Sequence, residues 1–260
     1  MSDVLDYDKE AADYDALRGG EARAHEAAQA VLRLIPGRPG RLLDVACGTG
    51  IVTRRLAAAR PGPRVTGADL TWAMVRRASA RLPGAIVRAD SRRLPFPSGT
   101  FDAVTSIWLL HLLTDPEDVR AVVAECARVL RPGGTYVTTV DKAAAHDVGS
   151  DIDAVLAARP RRPAADAPGT VTAHAVRYGL RPAGHGTFRG TGQGRSPRTA
   201  IADLNRGWFT LLPPGEPRTE ELAARLAALP DQDRRRPDPR FGVRAFRRPA
   251  DEESGTSRPG

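Results

Sequence analysis

Lysine is nearly absent from this 260-residue chain, which has only Lys9 and Lys142, while arginine is abundant enough to leave a net charge of +8. Positive charge of that size suits an anionic partner such as nucleic acid, a phosphorylated substrate or a carrier protein. An Arg-, Ala-, Pro- and Gly-rich chain short of lysine is also what a high-GC genome encodes, and the arginines are spread along the chain, with clusters such as those at residues 159–162, 234–236 and 247–248. Charge alone therefore argues for no nucleic-acid partner. Cysteine is scarce as well: Cys47 and Cys126 are too few for a disulfide framework, and the expectation is a reducing, cytoplasmic compartment. No run of about 18 apolar residues occurs, so no membrane insertion is expected. The acidic start (Asp3, Asp6, Asp8, Glu10) speaks against a signal peptide. No internal repeat is present.

What the chain does have is an apolar fraction of 41% beside 27% charged residues, the balance of a soluble globular protein, and a length that suits one α/β domain. The organising stretch is Arg41-Leu42-Leu43-Asp44-Val45-Ala46-Cys47-Gly48-Thr49-Gly50. A short apolar run ending in a glycine turn, then a helical pattern from Ile51, reads as a buried parallel strand feeding a helix. Glycine is wanted at such a turn because a side chain would keep a ligand from the backbone and the helix N-terminus.

The pattern repeats downstream. Residues 64–69 read as a second strand ending in Asp69, and residues 85–90 as a third ending in Asp90; residues 101–108 form the fourth and 135–140 the fifth. Helices are expected over 51–57, 71–82 and 116–130, the last stopped by Pro132-Gly133-Gly134. An alanine-rich helix over 21–35 precedes them, and residues 1–35 together form a candidate lid. Five strand–helix alternations in about 100 residues imply a Rossmann-like, doubly wound sheet. Its ligand belongs at the carboxyl ends of the strands, where Asp44, Asp69 and Asp90 stand. Asp69 lies 19 residues beyond Gly50, the spacing at which a second strand presents an acid to ribose hydroxyls. The alternative for Asp69 is a surface helix cap. Beyond residue 140 the pattern changes: helices are expected over 151–158, 170–180, 196–212 and 219–229, a glycine-rich strand or hairpin over 184–195, and a last strand over 241–246. The domain is expected to span 1–248, with the donor core at 41–140, a substrate cap at 141–230 and a disordered tail at 249–260.

At these residues the chain resembles the class I S-adenosylmethionine-dependent methyltransferases, in particular the type 11 and ubiquinone/menaquinone-biosynthesis group. Leu42 to Gly50 is similar to that family's first motif and Val65-Thr66-Gly67-Ala68-Asp69-Leu70 to its ribose-binding strand. Ala89-Asp90-Ser91 with Leu94-Pro95-Phe96 is similar to its adenine loop, Phe101-Asp102-Ala103-Val104 with Leu110-His111 to its fourth motif, and residues 128–134 to the turn before strand five. Ala46 departs from the pattern, standing where many members have glycine. The resemblance implies a seven-stranded, mostly parallel sheet with an antiparallel last strand and a helical cap, and S-adenosylmethionine as cofactor. Residue by residue, it assigns Asp44 to organising the turn, and Ala46, Gly48 and Gly50 to the methionine portion. Asp69 goes to the ribose, Asp90 and Ser91 to the adenine, and Leu70, Met74 and Ile107 to the apolar sides of the donor pocket. It implies no metal.

Methyl transfer from a sulfonium is an in-line displacement in which alignment and exclusion of water do most of the work. For an oxygen or acidic carbon nucleophile a base helps; His111, after strand four, is the candidate, with a structural histidine on an apolar turn as its alternative. Tyr14 is the second catalytic candidate and Arg18 a candidate partner for the donor carboxylate. Trp108, Trp208 and Phe209 read as core packing more than as pocket lining. Cys47 has no neighbouring histidine and reads as a packing residue. A dehydrogenase is excluded because the position three beyond Gly50 is Thr53 rather than glycine. An amino-group nucleic-acid methylase lacks support, since Ile107-Trp108-Leu109-Leu110 stands where its signature would be. The expected acceptor is a small molecule of secondary-metabolite type; the other readings are an RNA or protein methyltransferase and a non-catalytic donor-binding module.

Overall fold

The computed structural model describes residues 14–59, 62–160, 163–209 and 211–250. Readings that concern residues 1–13 and 251–260 lie outside the described residues. In chain order the elements are α1 (Tyr14–Leu17), α2 (Gly20–Leu34), β1 (Arg41–Val45), α3 (Ile51–Ala57), β2 (Arg64–Asp69) and α4 (Trp72–Arg81). There follow β3 (Ile86–Arg88), β4 (Phe101–Ser106), a 3-10 turn (Leu110–Leu112), α5 (Pro116–Val129), β5 (Leu130–Val140) and α6 (Lys142–Ala145). The remainder is α7 (Asp151–Leu156), α8 (Pro168–Arg177), β6 (Arg181–Arg189), α9 (Pro197–Asn205), α10 (Pro217–Ala227) and β7 (Arg240–Arg247).

β1 shows how the layers arise. Every residue of it after Arg41 is buried. Leu42 enters one core while Leu43 and Val45 enter the other, because successive side chains of a strand point to opposite faces. A strand apolar on both faces must be covered on both, which the crossover helices of a parallel sheet provide. On one face α5 and α8 bring Val119, Val122, Cys126, Val171 and Ala175. On the other, α2 and α3 bring Ala24, Ala27, Val31, Val52 and Leu56. The alanines of α2 let that helix lie close to the sheet.

The strand order is β3-β2-β1-β4-β5-β7-β6. β1 pairs in parallel with both β2 and β4, β3 extends the sheet beyond β2, and β5 extends it beyond β4. β7 is antiparallel to both β5 and β6. This is the expected mostly parallel Rossmann-like sheet with its last strand reversed. The order turns at β1/β4, so a crevice opens at their carboxyl ends. Residues from α7, α9 and α10, among them Ile152, Leu156, Leu204, Leu222 and Leu226, form a third apolar cluster of their own within the region expected to be the cap.

Several boundaries differ from expectation. α5 stops at Val129 and the strand begins at once, running through Pro132-Gly133-Gly134 instead of turning there. Leu130 is already extended (φ −68°, ψ 137°), and Arg131, before Pro132, is driven out of the helical region as well. The register shift between Phe101 and Ala103 absorbs the extra residues. The 196–212 helix ends at Asn205 because Gly207 adopts φ +72°, and β6 runs over Arg181–Arg189 as one edge strand rather than a hairpin. α6 was not expected. Residues 249 and 250, expected in a disordered tail, are held: the Gly133 N–H donates to the carbonyls of Arg248 and Pro249 at 2.9 and 3.3 Å.

Candidate functional site

At the carboxyl end of β1 the chain makes two left-handed steps before α3 starts, at Ala46 (φ +55°) and Gly48 (φ +56°), and a third at Gly50 (φ +76°), which caps that helix. The two glycines do different things. A Cβ on Gly50 would come 3.0 Å from Cα and Cβ of Ala78, so this glycine lets α4 pack against the turn. A Cβ on Gly48 would meet nothing within 4 Å; it would stand in open space, the property of a cradle for a ligand. Ala46 carries a strained backbone in the position where glycine was expected, and Trp108 (φ +61°) and Asp141 (φ +53°) carry the same strain just past β4 and β5. Strained non-glycine residues at three neighbouring strand ends mark a functional edge.

Two acids hold this turn from below. Asp44 is 2% exposed and accepts a hydrogen bond from Thr53 Oγ1 at 2.6 Å. Burial raises its carboxyl pKa to about 7, with the hydrogen bond from Thr53 opposing and the nearby Asp69 adding to the rise. Asp69 accepts the Gly48 N–H at 2.8 Å through one oxygen and the Thr71 N–H at 2.9 Å through the other. It therefore ties β2, the glycine turn and the start of α4 together, and each oxygen keeps lone-pair capacity for a further donor. Beside it Leu70 is 56% exposed, whereas Met74 and Ile107 are buried. Just past β3 the half-buried Asp90 carboxylate is bound by the backbone and guanidinium of Arg92, which also reaches Asp118 at 3.0 Å; the hydrogen bonds from Arg92 hold Asp90 below the usual carboxylate range. Ser91 follows it, half-buried.

The N-terminal segment reaches this edge, by a residue the sequence reading did not single out. Asp15 on α1 accepts from Thr49 Oγ1 in the glycine turn at 2.6 Å and pairs with Arg81 Nη2 at 2.5 Å. Arg81 Nη1 in turn donates to the Thr49 carbonyl at 2.7 Å. Arg18, expected at the donor, instead has its guanidinium 4.3 Å from the Trp208 ring centre and 5.8 Å from that of Tyr14. Tyr14 is hydrogen-bonded to Arg23, whose guanidinium lies 3.9 Å from the Trp108 ring centre.

His111 sits in the 3-10 turn after β4, its Nε2 3.0 Å from Nζ of Lys142, one of the two lysines in the chain. Its Nδ1 is shut off from solvent and has no hydrogen-bond partner. Burial, then the charge of Lys142, pushes the imidazole well below its usual pKa, so it is neutral at neutral pH. Lys142 is lowered to about 7, first by burial and then by Arg18, Arg23 and Arg195. Lys142, Arg23 and Asp15 are thus site residues that sequence reasoning missed. The signals available were the rarity of lysine and the repeated Tyr-Asp pair. Among the described residues no cluster of side chains suits a metal ion.

A family profile described as "Methyltransferase domain" matches residues 43–138. The chain is 38% identical over 101 residues to the ubiquinone/menaquinone biosynthesis C-methyltransferase UbiE of Desulfotalea psychrophila, covering 38% of this chain and 40% of that one. It is 36% identical over 130 residues to the malonyl-[acyl-carrier protein] O-methyltransferase of Hahella chejuensis, covering 49% and 45%. The chain thus spans less than half the length of these curated relatives. Among solved structures, the [4+2]-cyclase SpnF superposes with a TM-score of 0.59 at 20% identity, covering 94% of each chain. An S-adenosylmethionine-dependent methyltransferase of Methanosarcina mazei superposes with a TM-score of 0.53 at 15% identity, covering 85% of this chain and 98% of that one. At such identities these two likenesses speak to the fold alone.

Proposed function

We propose that this chain, whose residues 43–138 match a methyltransferase-domain profile, is a class I S-adenosylmethionine-dependent methyltransferase of the UbiE-like group and transfers a methyl group to a small-molecule acceptor of secondary-metabolite type. The observation that carries the reading is the cradle at Gly48: open space where a side chain would stand, beside a backbone N–H aligned by Asp69. When bound, S-adenosylmethionine supplies an already activated methyl group, so the protein's task is placement and exclusion of water.

In this reading the glycine turn with Ala46, Gly48 and Gly50 accommodates the methionine portion, and Asp44 holds the turn in shape through Thr53. Asp69 accepts the ribose hydroxyls with its remaining lone pairs, Asp90 and Ser91 edge the adenine, and Leu70 covers it. Met74 and Ile107 back the pocket from inside the fold. The N-terminal segment is the lid, latched at Thr49 by Asp15. His111 accepts the acceptor's proton at Nδ1, which the acceptor reaches by displacing the atoms that cover it. That requires Nε2–H to donate to an uncharged Lys142, so the base works once Lys142 has lost its proton. Tyr14, bonded to Arg23, orients the acceptor. A small acceptor rather than nucleic acid, and a cytoplasmic setting, are part of the same proposal; the two free, buried cysteines support the latter.

Calorimetry with S-adenosylmethionine is the direct test. The wild-type chain is expected to bind it, and Asp69→Ala to weaken binding by about tenfold or more, the effect of a lost charge-assisted hydrogen bond. Normal affinity in Asp69→Ala would remove the site assignment. Labelled donor incubated with candidate metabolites and followed by mass spectrometry then tests transfer. Steeply salt-dependent RNA binding would count for a nucleic-acid acceptor instead.

A further inference from the structure

Around His111 the protein gathers cations and gives them few counter-charges. Arg18 stacks on Trp208, Arg23 stacks on Trp108, and Lys142 meets His111. None of these three cations forms an ion pair with a carboxylate among the described residues; Arg195 does, with Asp203 at 3.7 Å. Of the other acids close by, Asp166 is 1% exposed and accepts from the backbone N–H of Lys142 at 2.8 Å, while Asp15, which acts on Arg23 electrostatically, is engaged by Thr49 and Arg81. Arg23 is only 5% exposed, and its Nε has no hydrogen-bond partner; the same holds for Trp108 Nε1 and His111 Nδ1. Three buried polar groups without partners are costly, and a bound ligand is one way such a cost is recovered.

The form of the cations matters as much as their number. A guanidinium lying on an aromatic face is stabilised by the ring without spending its N–H edges, which stay free for an oxyanion in the guanidinium plane. Arg18 and Arg23 both lie on such faces, on elements next to each other in the chain; Arg23 gives part of its edge to Tyr14, and its Nε remains without a partner. Resting on the methyl-transfer reading above, we infer that the acceptor is itself an acid: a small molecule whose carboxylate or phosphate is held by Arg18 and Arg23, with its reacting atom toward His111. The excess positive charge acts on its own neighbours. Beyond burial, it is these arginines that depress Lys142, while Arg195, Lys142, Arg18 and Arg159 add to the depression of His146. An anion placed among them relieves that repulsion.

The test uses the full chain and tryptophan fluorescence, since Trp108 and Trp208 carry the two stacked guanidinium groups. The probes are benzoate, its neutral isostere benzamide, and inorganic phosphate, each titrated at low and high sodium chloride. Benzoate or phosphate is expected to bind at least about tenfold more tightly than benzamide, with affinity falling as salt rises. Whichever of the two is favoured assigns carboxylate or phosphate. Arg18→Gln is expected to lose roughly 10- to 100-fold of the anion affinity, the size of one charged hydrogen bond, and Arg18→Lys to restore it only in part. Arg23→Gln is the second variant, read only if its thermal unfolding remains cooperative. Equal binding of benzoate, phosphate and benzamide, or unchanged anion affinity in Arg18→Gln, overturns the inference. Donor binding on the same samples keeps the two claims apart: a chain that binds S-adenosylmethionine but discriminates no anion defeats this inference alone, and one that binds anions but no donor defeats the methyl-transfer reading.

Discussion

Replacing Asp15 with alanine cuts the latch between α1 and the glycine turn. The carboxylate makes two contacts across long stretches of chain, to Thr49 Oγ1 at 2.6 Å and to Arg81 Nη2 at 2.5 Å, with side chains 19% and 27% exposed for Asp15 and Arg81. A hydrogen bond to a charged group is worth about 1.5–3 kcal/mol net, and partial exposure pulls an ion pair toward the lower end. About 2 kcal/mol for the two together is a reasonable figure, or roughly 30-fold on the equilibrium between docked and undocked α1. Because only a terminal segment is released, global stability should fall by less than this, while hydrogen exchange at Tyr14–Leu17 should quicken. If the donor site needs the docked segment, affinity for S-adenosylmethionine falls with it. Arg81→Ala should act similarly, and because Arg81 also holds the Thr49 carbonyl, the double variant should show coupling of about 1 kcal/mol. Strict additivity, or wild-type exchange and donor affinity in Asp15→Ala, would refute the reasoning.

Three further outcomes are expected. Gly50→Ala, with φ +76° and its new Cβ 3.0 Å from Ala78, should cost several kcal/mol, about 2–4, whereas Gly48→Ala should cost only about 1–2 kcal/mol of stability yet abolish most donor binding; urea unfolding and calorimetry on both variants separate the two effects, and equal stabilities would contradict the packing argument. Ala46→Gly relieves a left-handed alanine and should gain about 0.5–1 kcal/mol, read as a rise of a few degrees in the melting temperature; a fall would mean that the strain at φ +55° is not borne by this residue. With pH, kcat/KM should rise through about 7 as Lys142 deprotonates, and Lys142→Met should flatten that limb. The stability linkages of the two perturbed groups have opposite signs. The unfolded chain binds more protons at Lys142 between about 7 and 10.5, so that contribution rises with pH there; the folded chain binds more at Asp44 between 3.8 and about 7, so that contribution falls with pH there and should vanish in Asp44→Asn.

How far the fold can be read from the residues depends on the range of the forces involved. Strands β1, β2 and β4 announce themselves through apolar runs bounded by turn residues, and the acids at Asp44 and Asp69 follow from where those runs stop. Where α5 gives way to β5 at Val129 no turn residue marks the change, and the turn residues Pro132-Gly133-Gly134 lie further on, inside the strand. β6 was placed late since its burial is so slight: Phe188 alone in it is buried. The cradle was legible to the extent that it is local, namely Gly48 and its neighbours. Its closure by Asp15 joins residues 34 and 66 positions apart, and the His111–Lys142 contact joins residues 31 apart. No periodicity marks such pairs; the fold alone decides them. Arg18 illustrates the converse, since the residue type suits a carboxylate wherever it lands and only the structure puts it against Trp208.

The place of β7 has a bearing on how the chain folds as it is made. Last in sequence among the strands, it lies not at the rim but between β5 and β6, pairing with Thr135–Val140 on one side and with residues across the whole of β6 on the other. Until residues 240–247 leave the ribosome, β5 offers a bare edge and β6 has no sheet to join. Arg248 then closes the arrangement, donating from Nη1 to the Leu130 carbonyl at 2.6 Å and from its N–H to the Gly134 carbonyl at 2.9 Å. Vectorial synthesis can thus complete the Gly48 cradle and the β3-β2-β1-β4-β5 half early, but the half that carries the cap waits for the final strand. A chain cut before Arg240 would be left with an open slot, the kind of exposed edge through which nascent proteins are lost to aggregation.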